Sequence, residues 1–528
     1  MMSGKVRIRV AIVRLSRIAF FRFFFKLYYR SAWLIFPPVS RLFFPEITSL
    51  RVHRGYSTNE WEPGISDIDI IAEVRDLFPR ETACFIGKWN KFYRILKLLF
   101  PILGETIVTS RREQELYHSW GDIRSISAQT SARPNSAVIE IKTALDLWTE
   151  CLHSHTQLCK MAISRVAMPA PIARRELRKC VLDIIRHSAA CRRYPPLQPI
   201  RSRRETEGAP NESGDFATAE LADILKRGED AGADDGEIKR SIRLACAHAA
   251  NILERDAIHL FERLDGLTAP APGVKRFAAA PEEDESALHL FELLKKRLGT
   301  FFASAIFDNI FSSVVVLKHI PGCADDLACC ISVLDRAAAW HRSLQGPVFL
   351  LGPKSLTLMG IGAYNDDPLK MVFPEDLNLN ADSFACLQSG SELPFSIHRR
   401  TFFRTGENAR LAPGRLLAKA LYLESLSHFL RTWRSLLDPG ACGAVYAVSR
   451  AVALWLYFVK KMPRPCFPLQ SLLETFRKEK KPADGFRIFE TSLLQGLQPA
   501  DVEIISALNA ETLEAASTVA AESAAAGT

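Results

Sequence analysis

The feature that most constrains the fold is a short segment in which two acidic residues alternate with isoleucines, Ser66-Asp67-Ile68-Asp69-Ile70. Side chains of a β-strand alternate between the faces of a sheet, so Ile68 and Ile70 are expected in the core and both carboxylates on the other face. Two adjacent carboxylates repel each other unless a cation lies between them. Mg²⁺ binds one or two protein carboxylates and takes its other ligands from phosphates and water. The segment therefore predicts a metal site for phosphoryl or nucleotidyl transfer.

The residues around this segment predict a hairpin with a long tip. Residues 47–53 have strand character and end before Gly55, residues 59–64 form a polar turn, and residues 67–74 form the second strand. Backbone N–H groups at the tip of such a hairpin are available to bind a triphosphate.

A helix and a third strand are expected to follow the hairpin. Apolar residues at helical spacing predict a helix over residues 87–100 that ends at Pro101 and Gly104. Its buried face is expected to carry Phe92, Ile95, Leu96 and Leu99. Residues 105–109 then predict the third strand.

Over residues 47–110 the sequence resembles the nucleotidyltransferase superfamily that includes DNA polymerase β, in the form of its small-substrate and bacterial members. The resemblance is carried by the glycine turn Arg54-Gly55-Tyr56-Ser57 and by the acidic pair Asp67 and Asp69 downstream of it. The family pattern has a hydrophobic residue, then Gly, then Gly or Ser. This chain departs from it, because Arg54 precedes the glycine and the serine comes one position late.

The resemblance implies Mg²⁺ held by Asp67, Asp69 and a third carboxylate on a later strand. Glu105 is the candidate for the third position, where it would also help to deprotonate an acceptor hydroxyl. Glu140, in Ala137-Val138-Ile139-Glu140-Ile141, is the alternative, because it too has apolar neighbours.

The resemblance also implies a nucleoside triphosphate as substrate, with Gly55, Ser57 and Ser66 in the binding site. The acceptor hydroxyl would attack the α-phosphate in line, and pyrophosphate would leave. Acceptors in this superfamily range from antibiotics to proteins and RNA ends, so the fold does not name the acceptor.

Charge is concentrated at the N-terminus. The whole chain has a formal net charge of +9, but residues 1–54 contain eleven Lys or Arg and a single acid, Glu46, so the remaining residues sum to −1. Outside the N-terminal segment there is no broad basic surface, which argues against long nucleic acids as partners.

The N-terminal segment interleaves aromatic and basic residues and predicts a helix over residues 10–35. On that helix one stripe is basic and the opposite stripe is aromatic: Arg22, Lys26 and Arg30 against Phe20, Phe24 and Tyr28. Such a helix can lie on an anionic membrane. The favoured interpretation is that the aromatic side chains pack on the catalytic domain and the cations face water. Charges interrupt every apolar run, which argues against a signal peptide or a transmembrane span.

The chain has twelve cysteines and no secretion signal, which predicts a reduced, cytoplasmic protein with peripheral contact at a membrane as a further option. Cys151, His155 and Cys159 recur at every fourth position of a predicted helix. Such a row would join a zinc site only if another ligand arrived from elsewhere, and three ligands in a straight row do not easily reach one metal. Buried helical cysteines are the favoured interpretation.

The predicted fold class is α+β: a small mixed-sheet nucleotidyltransferase-like domain followed by a large, mostly helical region with a short β insertion. The expected order is a basic aromatic helix (1–45), the nucleotidyltransferase-like domain (46–135), helices (136–192), a linker (193–216), helices (217–345), short strands and loops (346–409), helices (410–509) and a flexible tail (510–528).

Two functions follow. The first is Mg²⁺-dependent transfer of a nucleoside monophosphate from a nucleoside triphosphate to an acceptor hydroxyl. The alternative is a non-catalytic binding or scaffold protein with a degenerate nucleotidyltransferase-like domain, motivated by Tyr56 and by the open identity of the third acid.

Overall fold

The structure is a computed structural model. It describes residues 4–53, 61, 63–64, 66–119, 137–163, 168–192, 203, 206, 216–229, 235–265, 285–308, 313–317, 324–340, 348–352, 355, 400–404, 420, 422–424, 426–427, 429–430, 433–434, 441–462, 476, 478–479 and 499–525.

Two helices precede the first group of strands, and a second group of strands follows a helical stretch. In chain order the elements are α1 (Gly4–Leu15), α2 (Ala19–Phe43), β1 (Ile47–His53), β2 (Ile68–Val74), α3 (Pro79–Leu99), β3 (Leu103–Ser110), α4 (Arg111–Ser119), α5 (Ala137–Ala162), α6 (Ala170–Arg192), α7 (Phe216–Glu229), α8 (Asp235–Asp265), α9 (Glu285–Leu298), β4 (Phe302–Asp308), β5 (Ser313–Leu317), α10 (Ala324–Trp340), β6 (Val348–Leu351), β7 (Arg400–Arg404), α11 (Ala441–Phe458) and α12 (Pro499–Ala525).

The chain divides into two compact units, residues 1–139 with 422–528, and residues 140–421. The described part is mostly helical with small mixed sheets, which is the α+β class that the sequence predicts. Among the described helices, none combines the length and the apolar character that crossing a bilayer requires.

The first unit is built on a three-stranded sheet with the order β1-β2-β3. β1 and β2 are antiparallel, and β3 returns parallel to β2 after the crossover helix α3. β2 alternates between buried and half-buried positions because one of its faces packs on the core. Ile68, Ile70, Ala72 and Val74 form the buried face, as the sequence predicts.

Helix α3 covers that face with an aromatic stripe. Phe85, Trp89 and Tyr93 follow one another at every fourth residue, all are buried, and the rings of Trp89 and Tyr93 meet Phe36 of α2 edge-on. The prediction of the buried face was therefore partly wrong: Leu96 is buried, but Ile95 and Leu99 are exposed. The larger aromatic side chains decide which side of the helix turns inward.

The C-terminal helix α12 packs against α3 and α11. Residues 510–525, which the sequence suggests are flexible, continue this helix. Thr512, Leu513 and Ala516 are buried in it, and Glu511 accepts a hydrogen bond of 2.6 Å from the Trp455 indole. Helix propensity of the small residues here, alanine above all, favours the helix, and Ala516 is buried in its packed part.

The N-terminal segment forms two helices, separated by a turn at residues 16–18, and not the single predicted helix. The favoured interpretation of its aromatic residues was also wrong in part. Tyr29 and Phe36 are buried against the sheet domain, whereas Phe20, Phe23 and Phe24 are exposed.

The second unit surrounds one hydrophobic core with helices α5 to α10 and a four-stranded sheet, β6-β5-β4-β7. Residues 302–308 and 313–317 were expected to be helical but form the antiparallel strands β4 and β5. The β-branched run Ser313-Val314-Val315-Val316-Leu317 explains the difference, since such residues favour a pleated, buried surface. A parallel strand, β6, follows after α10, so this sheet repeats the order of hairpin, helix and parallel strand found in the first unit.

Candidate functional site

The acidic pair lies at the start of β2, on the face opposite the core. Asp67 immediately precedes the strand and is exposed, and Asp69 is its second residue and is half-buried. Their neighbours Ile68 and Ile70 are 0% and 1% exposed on the opposite face. The alternation places the two carboxylates on one face of the sheet, at the start of its central strand.

Both acidic side chains lie over Gly104 of the neighbouring strand β3. A Cβ atom added at position 104 would be 2.8 Å from the Cβ of Asp67 and would collide with the carboxylate oxygen of Asp69. No side chain fits there without displacing Asp69, so glycine is required by this close approach. Gly104 therefore provides the space that the Asp69 carboxylate and the Asp67 side chain share.

A bulge in β3 brings one further acidic residue to this place. Ile68 pairs with Leu103 and Ile70 pairs with Thr106, so Asp69 alone lies opposite two residues, Gly104 and Glu105. A β-bulge adds one residue to one strand and redirects the backbone at that point. The backbone of Glu105 is thereby placed beside Asp69, while the Glu105 side chain lies outside the described part of the structure.

Helix α3 holds the bulge from the core side through two buried hydrogen bonds. The Tyr93 hydroxyl donates to the Gly104 carbonyl at 3.0 Å, and the Trp89 indole donates to the Thr106 hydroxyl at 3.2 Å. Buried polar groups need such partners because they have lost their hydrogen bonds to water. The two bonds fix the backbone on either side of Glu105.

The N-terminal helices hold the backbone just before Asp67. The Tyr29 hydroxyl donates to the carbonyl of Ser66 at 2.7 Å, and its ring stacks on Trp61 with centroids 4.5 Å apart. Burial and, after it, the negative charge of Asp67 raise the pKa of Tyr29, so the phenol stays protonated as a donor.

Just before this contact, Gly64 turns the chain with a φ of +82°, a conformation that favours glycine. Its carbonyl accepts a hydrogen bond of 3.0 Å from Arg9 of α1. Methyl carbons of Ile12 and Val13 would lie 3.0 Å from a Cβ at this position. Helix α1 thus packs directly against the segment that leads to the acidic pair.

At the other end of β3, a buried ion pair joins α4 to a distant helical residue. Glu113 accepts two hydrogen bonds of 2.8 Å from Arg434, and Arg434 also donates to the Val108 carbonyl at 2.9 Å. Glu113 and Ser110 form a capping box at the start of α4, with a 2.9 Å bond from the Ser110 N–H to the carboxylate. This cluster anchors the sheet, and nothing in the local sequence pairs Arg434 with Glu113.

The structure brings some of the predicted site residues together and places others elsewhere. It brings Asp67 and Asp69 together with the backbone of Glu105, and it places Ser66 directly before them with its carbonyl bound by Tyr29. Glu140 lies in the first turn of helix α5 and belongs to the second compact unit, so it is not on a strand. Gly55 and Ser57 lie outside the described residues.

Sequence reasoning missed the roles of Gly104, Tyr29 and Tyr93. The only local signal was for Gly104, since a glycine beside a predicted strand often marks a bulge or a close backbone approach. Comparisons of the chain with family models, curated proteins and solved structures gave no match.

Proposed function

We propose that the protein is a Mg²⁺-dependent nucleotidyltransferase that moves a nucleoside monophosphate from a nucleoside triphosphate to an acceptor hydroxyl. The observation that carries the proposal is the convergence of Asp67 and Asp69 over Gly104, with Glu105 placed opposite Asp69 by the bulge. Two carboxylates at the end of a strand, beside a third acidic position on the neighbouring strand, fit the resemblance to the nucleotidyltransferase superfamily.

The donor atoms suit Mg²⁺. The ion prefers hard oxygen ligands and keeps sites for water and phosphate, and Asp67 is exposed enough to leave such sites open. Gly104 leaves room over its strand for the carboxylate of Asp69 and the Cβ of Asp67. The same pair without a cation is left with like charges in close proximity.

In this proposal each residue of the chain has one task. Asp67 and Asp69 hold the metal, and Glu105 completes the site and accepts the proton of the attacking hydroxyl. Bound Mg²⁺ supplies charge stabilisation for the attacking and leaving oxygens of the phosphoryl group. Tyr29 and Tyr93 are positioning residues, because their hydroxyls hold the backbone carbonyls of Ser66 and Gly104.

The decisive experiment measures Mg²⁺-dependent binding of a nucleoside triphosphate, and transfer of label from α-labelled triphosphates into a metabolite extract. Asp67→Asn and Asp69→Asn are each expected to lower both by at least about 100-fold while the protein stays folded, because metal positioning supplies most of the rate in this chemistry. Glu105→Gln is expected to abolish transfer, whereas Glu140→Gln leaves it intact.

Glu73→Gln is the matched control, because Glu73 lies on the same face of β2 and is bound to Arg51 at 3.2 Å. It should leave triphosphate binding unchanged. If both aspartate variants bind Mg²⁺ and triphosphate as well as the parent chain, the pair is not a metal site, and the non-catalytic scaffold function takes its place.

A second candidate function, docking on an anionic membrane, is favoured by the outer face of α2. Phe20, Leu27 and Leu34 recur at every seventh residue and therefore lie on one side of the helix, where they are 63%, 50% and 72% exposed. Soluble surfaces rarely expose such a continuous apolar stripe without a partner.

The same helix also exposes cations, on a different side from this stripe. Arg22, Lys26 and Arg30 are spaced by four residues along α2 and are all exposed. A helix that exposes both an apolar stripe and basic residues matches a bilayer interface whose lipids carry negative charge. The inner face of the same helix is occupied by Tyr29 and Phe36, so membrane docking through the outer face leaves the acidic site undisturbed.

Sedimentation with vesicles tests this second candidate. The parent chain is expected to bind vesicles that contain phosphatidylserine and to bind neutral vesicles far more weakly. Phe20→Ser with Leu27→Ser should abolish binding to both, whereas Arg22→Gln with Lys26→Gln should remove only the preference for anionic lipid. Ile258→Ser, which removes an exposed apolar side chain from α8, is the control and should change nothing. Reversible dimerisation of the parent chain without vesicle binding would assign the stripe to a second copy.

A further inference from the structure

Three metal-ligating side chains meet in the core of the second unit, away from the acidic pair. His155 and Cys159 lie one turn apart on α5, and Cys246 comes from α8. The Cys159 sulfur is 3.4 Å from the Cys246 sulfur and 3.4 Å from Nε2 of His155. All three side chains are fully buried, at 0% exposure.

The sequence had favoured ordinary packing for these cysteines because the row Cys151, His155 and Cys159 is too straight to surround one ion. The structure changes the set of ligands. Cys151 turns away and bonds to the Ile184 carbonyl at 3.7 Å, and Cys246 takes its place from a different helix. Ligands from two helices can surround an ion where three from one helix cannot.

We propose that His155, Cys159 and Cys246 bind a thiophilic metal ion, Zn²⁺ or Cu⁺, which stabilises the second unit. Zinc bonds to sulfur at about 2.3 Å and to imidazole nitrogen at about 2.0 Å, which places tetrahedral ligands about 3.5–3.8 Å apart. The observed separations of 3.4 Å are within a few tenths of an ångström of that spacing.

A backbone carbonyl oxygen beside the three side chains is a candidate fourth ligand. The carbonyl of Leu350, in β6, lies 3.1 Å from Nε2 of His155. Zn²⁺ requires four ligands, so this carbonyl would complete its shell, whereas Cu⁺ is satisfied by the two sulfurs and the nitrogen. Helices α5 and α8 and strand β6 thus converge on the same point.

The apolar surroundings of the cluster favour a bound cation once its cysteines are ionised. The thiolate is the form that ligates metals. It lies in an apolar core made by residues such as Leu158, Cys180 and Ala249, where a charge needs a counter-ion close by.

Because the cluster is fully buried, the ion would enter during folding and its binding energy would count toward the stability of the fold. The full chain, purified without chelators, is therefore expected to carry one equivalent of zinc or copper per chain by inductively coupled plasma mass spectrometry. The element detected distinguishes Zn²⁺ from Cu⁺. Less than a tenth of an equivalent of either metal in a folded, reduced chain overturns the proposal.

Variants locate the ion. Cys246→Ser and Cys159→Ser should lose the metal, whereas Cys151→Ser, which removes an equally buried cysteine from the same helix, should keep a full equivalent. If a ligand variant does not fold, release is measured on the parent chain by titrating thiols with a mercurial, and metal should leave as the cluster reacts. A full equivalent retained in Cys246→Ser, or a parent mass lower by the two hydrogens of a Cys159–Cys246 disulfide, overturns the proposal.

Discussion

The carboxylate of Asp69 lies directly against Gly104 of the neighbouring strand, so closely that no side chain can be added at position 104. Asp67 borders the same glycine, with its Cβ 2.8 Å from the place where a Cβ at position 104 would be. Gly104 thus allows both aspartate side chains to approach β3, and this relationship links the fold of β3 to the proposed metal site.

Substituting Gly104→Ala is expected to push the Asp69 carboxylate away and to weaken Mg²⁺-dependent triphosphate binding by about tenfold or more. Overpacking a site of this kind costs about 1–3 kcal/mol of stability. Gly87→Ala is the control, since a Cβ at Gly87, which is exposed on α3, meets nothing within 4 Å. That change should leave binding intact and stabilise the helix by about 0.5–1 kcal/mol. Equal binding by the two variants would contradict the assigned role of Gly104.

Tyr29→Phe removes the hydrogen bond to the carbonyl of Ser66, next to Asp67. We expect a loss of about 1 kcal/mol in stability and a several-fold weaker affinity for Mg²⁺-triphosphate, measured by isothermal titration calorimetry. The neighbouring Tyr28→Phe should be silent, because the Tyr28 hydroxyl is exposed and its 3.5 Å contact to the Leu99 carbonyl is long. A change in stability without any change in affinity would restrict Tyr29 to a structural role.

Arg434→Met leaves the buried carboxylate of Glu113 without its bidentate partner. Breaking a buried pair from one side costs about 3–5 kcal/mol, and urea unfolding monitored by tryptophan fluorescence should show this loss. Glu113→Gln combined with Arg434→Met should recover part of it, because no uncompensated charge remains. The exposed ion pair Arg111–Glu115, whose charged atoms are 3.0 Å apart, serves as the control. Its removal should cost less than about 1 kcal/mol of stability.

The burial of His187 predicts that the stability of the second unit depends on pH. Burial, and after it the positive charge of Arg186, lower the pKa of His187 to about 4. In the unfolded chain the group titrates near 6.5, so between these values the unfolded state binds more protons and stability falls as the pH falls. The loss across that window is of order 3 kcal/mol.

Urea unfolding at pH 7 and pH 5 measures this effect, and His187→Gln should flatten the difference between the two pH values. Asp183, whose pKa is held well below its usual range by Arg186 and Arg203 against the cost of burial, loses its contribution only at lower pH. An unchanged pH dependence in His187→Gln would assign the effect to another group.

Local patterns in the sequence were enough for the parts of the fold that depend on neighbouring residues. Alternating Ile68 and Ile70 predicted both the strand and its buried face, and β1 has the bounds that its residues suggested. The same pattern placed Asp67 and Asp69 on one face, because a strand has a period of two wherever it lies in a protein. The catalytic assignment remains a prediction that rests on this pair.

Tertiary structure decided everything that depends on contacts between distant residues. The bulge that sets Glu105 beside Asp69, the ion pair of Glu113 with Arg434, and the meeting of Cys159 with Cys246 each join residues whose local sequences carry no sign of the partner. Phe20 and Tyr29 are both aromatic residues of one helix, yet one is exposed and the other buried. The periodicity of a helix shows which residues share a face, but which face is buried depends on the free energy of packing against the rest of the fold.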